Sequence, residues 1–232
     1  MKNFLKATLL PLVALGSALG FSSCGNDDDP FKIAGPFYDF ATVKSYNTST
    51  ITLDAYVPNS NDDVALSADF LNIVKPEEYP AGTRVMMTYN TNSQLNDGLP
   101  SETTKVQLIS LNKALTLVPV ETEAGECTTG DFNGRLSIAP YRTGGYINFL
   151  FYGQDLGPRA QYTALLDKAS LATDTPHIYV NATEGEGESS ADNCYPVSVD
   201  IASLWNNHSY KAITIHIKSL NYEAQQFTIK KQ

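Results

Sequence analysis

Basic charge is scarce in this chain: 16 Lys and Arg residues stand against 25 Asp and Glu over 232 residues. Lys2 and Lys6 are the only charged residues among the first 23, so the remaining 209 carry 14 basic and 25 acidic groups, a net charge of −11. A surface of that sign repels the phosphate backbone and excludes nucleic acid as a partner. It equally disfavours anionic lipid headgroups. Chemistry-bearing residues are sparse too, with three cysteines, three histidines and one tryptophan. There is no C-x-x-C, and His177, His208 and His216 fall at no ligand spacing, so neither a metal nor a cofactor is expected. The chain beyond residue 23 has no G-x-S-x-G, no H-E-x-x-H and no phosphate-cradling glycine loop. Ser110-Leu111-Asn112-Lys113 matches S-x-x-K in form, but lacks the partner motifs of the enzymes that use it and is read as chance. The expectation is a protein that is not an enzyme. A glycan-processing carboxylate pair is the least favoured alternative.

Hydrophobic runs are confined to the start. Lys2 and Lys6 precede a largely apolar Ala7–Leu19, followed by Gly20, Ser22 and Ser23, the layout of a secretory signal peptide over residues 1–23. The run is too short for the roughly 20 residues that cross a bilayer as a helix. It ends at Ser22-Ser23-Cys24-Gly25, which resembles a bacterial lipobox; Phe21 departs from the leucine usual there. Cys24 is accordingly the expected lipidation site, and residues 24–36 the lipidated tether. At about 0.8 kcal/mol per buried methylene, several acyl chains make such an anchor effectively permanent. Attachment to the membrane is then through the N-terminal lipid alone. Asp27, Asp28 and Asp29 follow at once. They make either a solvated spacer or, by resemblance to Bacteroidota lipoproteins, a surface-export signal, which implies an outer-membrane lipoprotein on the cell surface. With Cys24 acylated, Cys127 and Cys194 are left as an even pair that can form a disulfide or stay as two thiols.

Apolar residues beyond the tether alternate with period two. Ile51, Leu53, Ala55 and Val57 share one strand face; Val85, Met87 and Tyr89 share another; Ile213, Ile215 and Ile217 oppose Thr214, His216 and Lys218. Val106 and Leu108, Arg135–Ile138, Tyr146–Tyr152, Ile178–Val180, Tyr195–Ile201 and Phe227–Lys230 read the same way. Gly144-Gly145 predicts a tight hairpin turn. Helix is expected only as a turn or two at Ala164–Leu171 and Ala202–Asn206. The fold class is all-β. The polar stretch after Val118-Pro119-Val120 sets a domain boundary, giving domains over 37–120 and 121–232. Glu184–Asn193, rich in acid, glycine and serine, reads as a hairpin tip rather than a calcium loop.

Tyr79-Pro80-Ala81-Gly82-Thr83-Arg84-Val85, Val106-Gln107-Leu108 through Ala114-Leu115, Gly145-Tyr146-Ile147-Asn148-Phe149 and His177-Ile178-Tyr179-Val180 resemble successive segments of the NigD-like lipoproteins. That resemblance implies an N-terminal OB-like barrel followed by a C-terminal antiparallel β-sandwich, with no catalytic residue to carry over and a link to bacteriocin-associated operons. Tyr46, Tyr56 and Tyr89 are candidate ligand-contact aromatics on a barrel face, and Trp205 is another, for a glycan or protein partner. The reading is a lipid-anchored binding or accessory protein. A fimbrial-type subunit or a bacteriocin-linked, immunity-like protein is the alternative.

Overall fold

The structure, a computed structural model, describes residues 33–46, 50–56, 63–69, 75–92, 103–129, 135–153, 160–183, 193–219 and 225–231. Cys24, Asp27, Asp28, Asp29 and most of Glu184–Asn193 lie outside these residues. The chain forms two compact units that divide between Lys113 and Ala114.

The first unit is a closed five-stranded barrel of OB type. Its strands are β1 (Ile33–Tyr46), β2 (Thr50–Tyr56), β3 (Asp63–Asp69), β4 (Arg84–Asn92) and β5 (Thr103–Lys113), ordered β1-β2-β3-β5-β4 with β4 pairing back onto β1. β3 and β5 run parallel, and the other pairs are antiparallel. Period-two alternation fills the interior: Ile51, Leu53 and Ala55 from β2, then Val85, Met87 and Tyr89 from β4. On β5 the phase changes between Leu108 and Leu111, both buried. A bulge opposite Thr88 and Tyr89 skips Ile109 in the pairing and leaves it 43% exposed.

Tyr79–Val85 folds as its residues dictate. Thr83 N–H donates to the Pro80 carbonyl at 3.0 Å and Gly82 takes a φ of 88°, which only glycine adopts freely, closing the turn before β4. Gly82 N–H donates to the Val43 carbonyl, fastening the turn to β1. Between β3 and β4 the described residues hold a single 3-10 turn, Pro76–Glu78, rather than a helix.

The second unit is a β-sandwich. After β6 (Leu115–Leu117) and β7 (Val120–Thr122) come β8 (Arg135–Leu136), β9 (Tyr141–Thr143), β10 (Tyr146–Gly153), β11 (Gln161–Asp167), β12 (His177–Thr183) and β13 (Asn193–Asp200). The helix α1 (Ala202–Asn206), β14 (Ala212–Ile217) and β15 (Gln226–Lys230) complete it. One sheet is ordered β6-β13-β10-β8 with β9 also on β10; the other is β15-β14-β12-β11-β7. Phe149, Phe151, Val197, Ile178, Ile213 and Ile215 meet between them, all 0% exposed. Tyr162 extends the aromatic stack from Phe151 to Tyr195, at centroid distances of 5.4 and 5.2 Å.

The sandwich is not purely antiparallel as expected. β6 pairs with β13, β7 with β11 and β12 with β14 in parallel. The cause is the connections: the chain steps from one sheet to the other between β6 and β7, at Pro119, which has no N–H to give a ladder. It also leaves β12 for β13 before returning through α1 to β14. These pairings place Leu115–Thr122 in the second unit, so that unit starts ahead of the boundary read at 120/121. The tether likewise ends early, because β1 starts at Ile33. Gly144 and Gly145 make a two-residue hairpin loop, with φ of 54° at Gly144 as a type II′ turn requires. Ala202–Asn206 is helical, but Ala164–Asp167 belongs to β11, whose buried positions alternate, and only Ala169–Ala172 makes a 3-10 turn.

Candidate functional site

Two of the expected ligand aromatics serve packing instead. Tyr89 is 2% exposed inside the barrel, its ring 5.7 Å from Phe37 and its hydroxyl donating to Asp39 Oδ2 at 2.6 Å. The alternation that turns Val85 and Met87 inward turns Tyr89 inward with them, so it is withdrawn as a contact residue. Burial around that hydrogen bond lifts the Asp39 carboxyl to about 6, and the Tyr89 hydroxyl offsets part of the rise. Trp205 is half-buried against the sandwich core. The Arg142 guanidinium lies 4.3 Å from its ring centre and Lys231 Nζ 5.5 Å. Lys231 also donates to the carbonyls of Leu204 and Asn207 at the end of α1, so Trp205 and Lys231 together fasten the helix to the chain's end. Tyr46 is 44% exposed at the end of β1 and stays available. Tyr56 ends β2, paired with Asp63; its side chain lies outside the described residues.

The cysteines do not bridge. Cys127 and Cys194 are both free. Cys127 follows β7 at the edge of one sheet, its thiol 3.9 Å from the Thr122 carbonyl, whereas Cys194 is the second residue of β13 in the other sheet, opposite Tyr152. Burial, Asp167 and Glu126 push the Cys127 thiol up, which holds it protonated. Ser110–Lys113 lies within β5 and not at a helix start.

Polar side chains converge, with no local motif to announce them, on the outer face of the sheet β15-β14-β12-β11-β7. Ile178, Val180 and Ala182 of β12 point into the core, so His177, Tyr179 and Asn181 point out; Ile213, Ile215 and Ile217 of β14 do the same for Thr214 and His216. The parallel register sets Tyr179 beside His216 and His177 beside Thr214. Tyr179 stacks flat on the His216 ring, centroids 4.2 Å apart and planes 7° apart. His216 Nε2 lies 3.2 Å from His177 Nδ1. The histidines thus meet across 39 positions of sequence. Burial first, then His177, lowers the pKa of His216, against the opposing pull of Asp167 at the end of β11. Asn181 Oδ1 is buried on the same face with no hydrogen-bond partner. Leu165, beside Tyr179 on one side and Val120 on the other, gives the patch an apolar margin, and Val120 is 62% exposed. The arrangement supplies two imidazoles, an aromatic plate and an amide acceptor. Among the described residues no three His, Cys, Asp or Glu side chains gather around one metal position.

The folds and this face define a two-unit, all-β protein with polar groups displayed on one sandwich sheet. No known sequence family matches the chain, and no curated protein sequence does. Solved structures do. A Bacteroides vulgatus protein of unknown function is 13% identical, with a TM-score of 0.63 over 87% of this chain and 92% of that one. A NigD-like immunity protein from Bacteroides caccae is 15% identical, with a TM-score of 0.52 over 84% and 92%. A candidate lipoprotein from Bacteroides fragilis is 13% identical, with a TM-score of 0.50 over 85% and 99%. The chain therefore shares its fold with a NigD-like protein, in keeping with the resemblance of its strand segments.

Proposed function

We propose that the chain is a lipid-anchored, non-catalytic accessory protein of the outer membrane, displayed at the cell surface and holding a glycan or protein partner. The observation that carries this reading is Ser22-Ser23-Cys24-Gly25 at the end of an apolar leader, nine residues ahead of the first barrel strand at Ile33. At about 3.4 Å per extended residue that segment reaches roughly 30 Å at most, so the barrel is held close to the bilayer. The fold shared with a candidate lipoprotein supports the anchor, and the fold shared with a NigD-like immunity protein supports an immunity-like role as the second reading. A fimbrial role gains less support, because β15 completes its own sheet beside β14 rather than standing free for donation.

Labelling with a radioactive fatty acid tests the reading. The wild-type chain should take up label and fractionate with membranes, while Cys24→Ala should lose both and remain folded. Replacing Asp27, Asp28 and Asp29 with Ala should keep the label but protect the protein from protease added to whole cells. Label retained by Cys24→Ala would end the lipoprotein reading, and undiminished digestion of the triple variant would leave the acidic run as a spacer.

A further inference from the structure

We propose that His177 and His216 form a binding site for one divalent transition-metal ion, of the Zn²⁺, Cu²⁺ or Ni²⁺ kind, on the outer face of the sandwich. Geometry is the main ground. Two imidazole nitrogens on a tetrahedral ion, each about 2.0–2.1 Å from it, stand about 3.3 Å apart. Nδ1 of His177 and Nε2 of His216 are 3.2 Å apart. Both rings rest on adjacent strands of a hydrogen-bonded sheet, β12 and β14, so their spacing is set by backbone register rather than by loop conformation. Tyr179, stacked on His216 at 4.2 Å, fixes the plane of that ring.

In the metal-free state one imidazole donates its N–H to the other. Binding requires a lone pair on both facing nitrogens, so the donating ring moves its proton to its other nitrogen. No net proton is lost when both rings are neutral, and water fills the remaining positions. Imidazole nitrogen suits zinc, copper and nickel, and disfavours calcium and magnesium, which take oxygen. Asp167 adds negative charge to this face, which its effect on both His216 and Tyr179 registers.

The site is independent of the lipid anchor, so the detergent-solubilised full chain, acylated or not, serves for the test. Titration with zinc sulfate, followed by calorimetry and by nitrogen-15 spectra of the imidazoles, should show one equivalent bound, with Nδ1 of His177 and Nε2 of His216 shifting. His177→Ala and His216→Ala should each weaken binding at least about tenfold, the scale on which even supporting groups of metal sites act. His208, exposed elsewhere, is the control: His208→Ala should leave affinity unchanged, as should Cys127→Ser. His177→Gln keeps a polar side chain at the same strand position and covers the case in which an alanine variant unfolds. Zinc that shifts neither imidazole, equal affinity in the His177 variants, or loss of binding in Cys127→Ser alone would overturn the assignment.

Discussion

Asp39 with Tyr89 in the barrel and His177 with His216 in the sandwich are both cross-strand pairs of titratable side chains, and the two pairs sit on opposite sides of their sheets. Asp39 and Tyr89 lie inside the barrel, on neighbouring strands β1 and β4. His177 and His216 lie outside the sandwich, on neighbouring strands β12 and β14. A closed barrel has one interior, and a carboxyl placed there loses water for which a single tyrosine hydroxyl at 2.6 Å is only partial compensation. The sandwich keeps its core apolar and puts its polar pair on a half-buried face, where solvent and ligands reach it. The inward pair acts on stability and the outward pair on binding.

Removing the inward carboxyl should give the largest effect. With Asp39 raised from 3.8 to about 6, the folded barrel holds a proton that the unfolded chain releases, so its contribution to stability is full below pH 3.8 and lost as pH rises through about 6. That shift corresponds to about 3 kcal/mol at neutral pH, and about 2 kcal/mol is expected because the carboxyl keeps some contact with solvent. Asp39→Asn should therefore stabilise the barrel by about 2 kcal/mol at pH 7 and flatten its pH dependence between 4 and 7. Tyr89→Phe should act oppositely, destabilising by about 1–3 kcal/mol at pH 7 by leaving the carboxylate unpaired. Denaturant unfolding across that range checks both, and an Asp39→Asn curve that parallels the wild type would place the carboxyl in water.

Trp205→Ala comes next. Its ring packs on the core, with Arg142 and Lys231 over it, so truncation should cost about 2 kcal/mol, roughly half the penalty for a fully buried tryptophan. The loss should be the same with and without any glycan or protein ligand. A variant of unchanged stability that loses a ligand would restore Trp205 as a contact residue.

What could be read in the sequence follows from how local the causes are. Ile213, Ile215 and Ile217 announce β14 within six residues, Gly144-Gly145 announces its hairpin, and Pro80 with Gly82 announces the turn before β4. The burial of Tyr89 was legible as well, since Val85 and Met87 share its phase. β1 was not. Gly35-Pro36 reads as tether, yet these residues sit in a register shift between Ala34 and Phe37, where a Cβ at Gly35 would collide with the Asn90 side chain. The histidine pair was hidden for a different reason. β12 and β14 are parallel neighbours separated in sequence by a strand of the other sheet, and no spacing rule within one segment brings His177 to His216.

The smallest effect expected is the titration of His216, measured with a chelator present so that only protons compete for its ring. His216 is lowered from 6.5 by burial and by His177, with Asp167 opposing and Tyr179 covering one ring face. A depressed histidine is the mirror of a raised carboxyl: the unfolded chain takes up the proton first, so its contribution to stability is present above pH 6.5 and is lost as pH falls through the folded value. Acidification from pH 7.5 to 5 should thus remove a contribution to the sandwich while adding one to the barrel, and the larger shift belongs to Asp39. His216→Gln should blunt the loss in the sandwich and leave the barrel's gain intact. Site-resolved hydrogen exchange at the two pH values separates the units, because protection of β14 amides should fall as that of β4 amides rises. If both move together in the His216→Gln chain as in the wild type, other groups govern the acid response, and the contrast between an inward and an outward pair fails as its explanation.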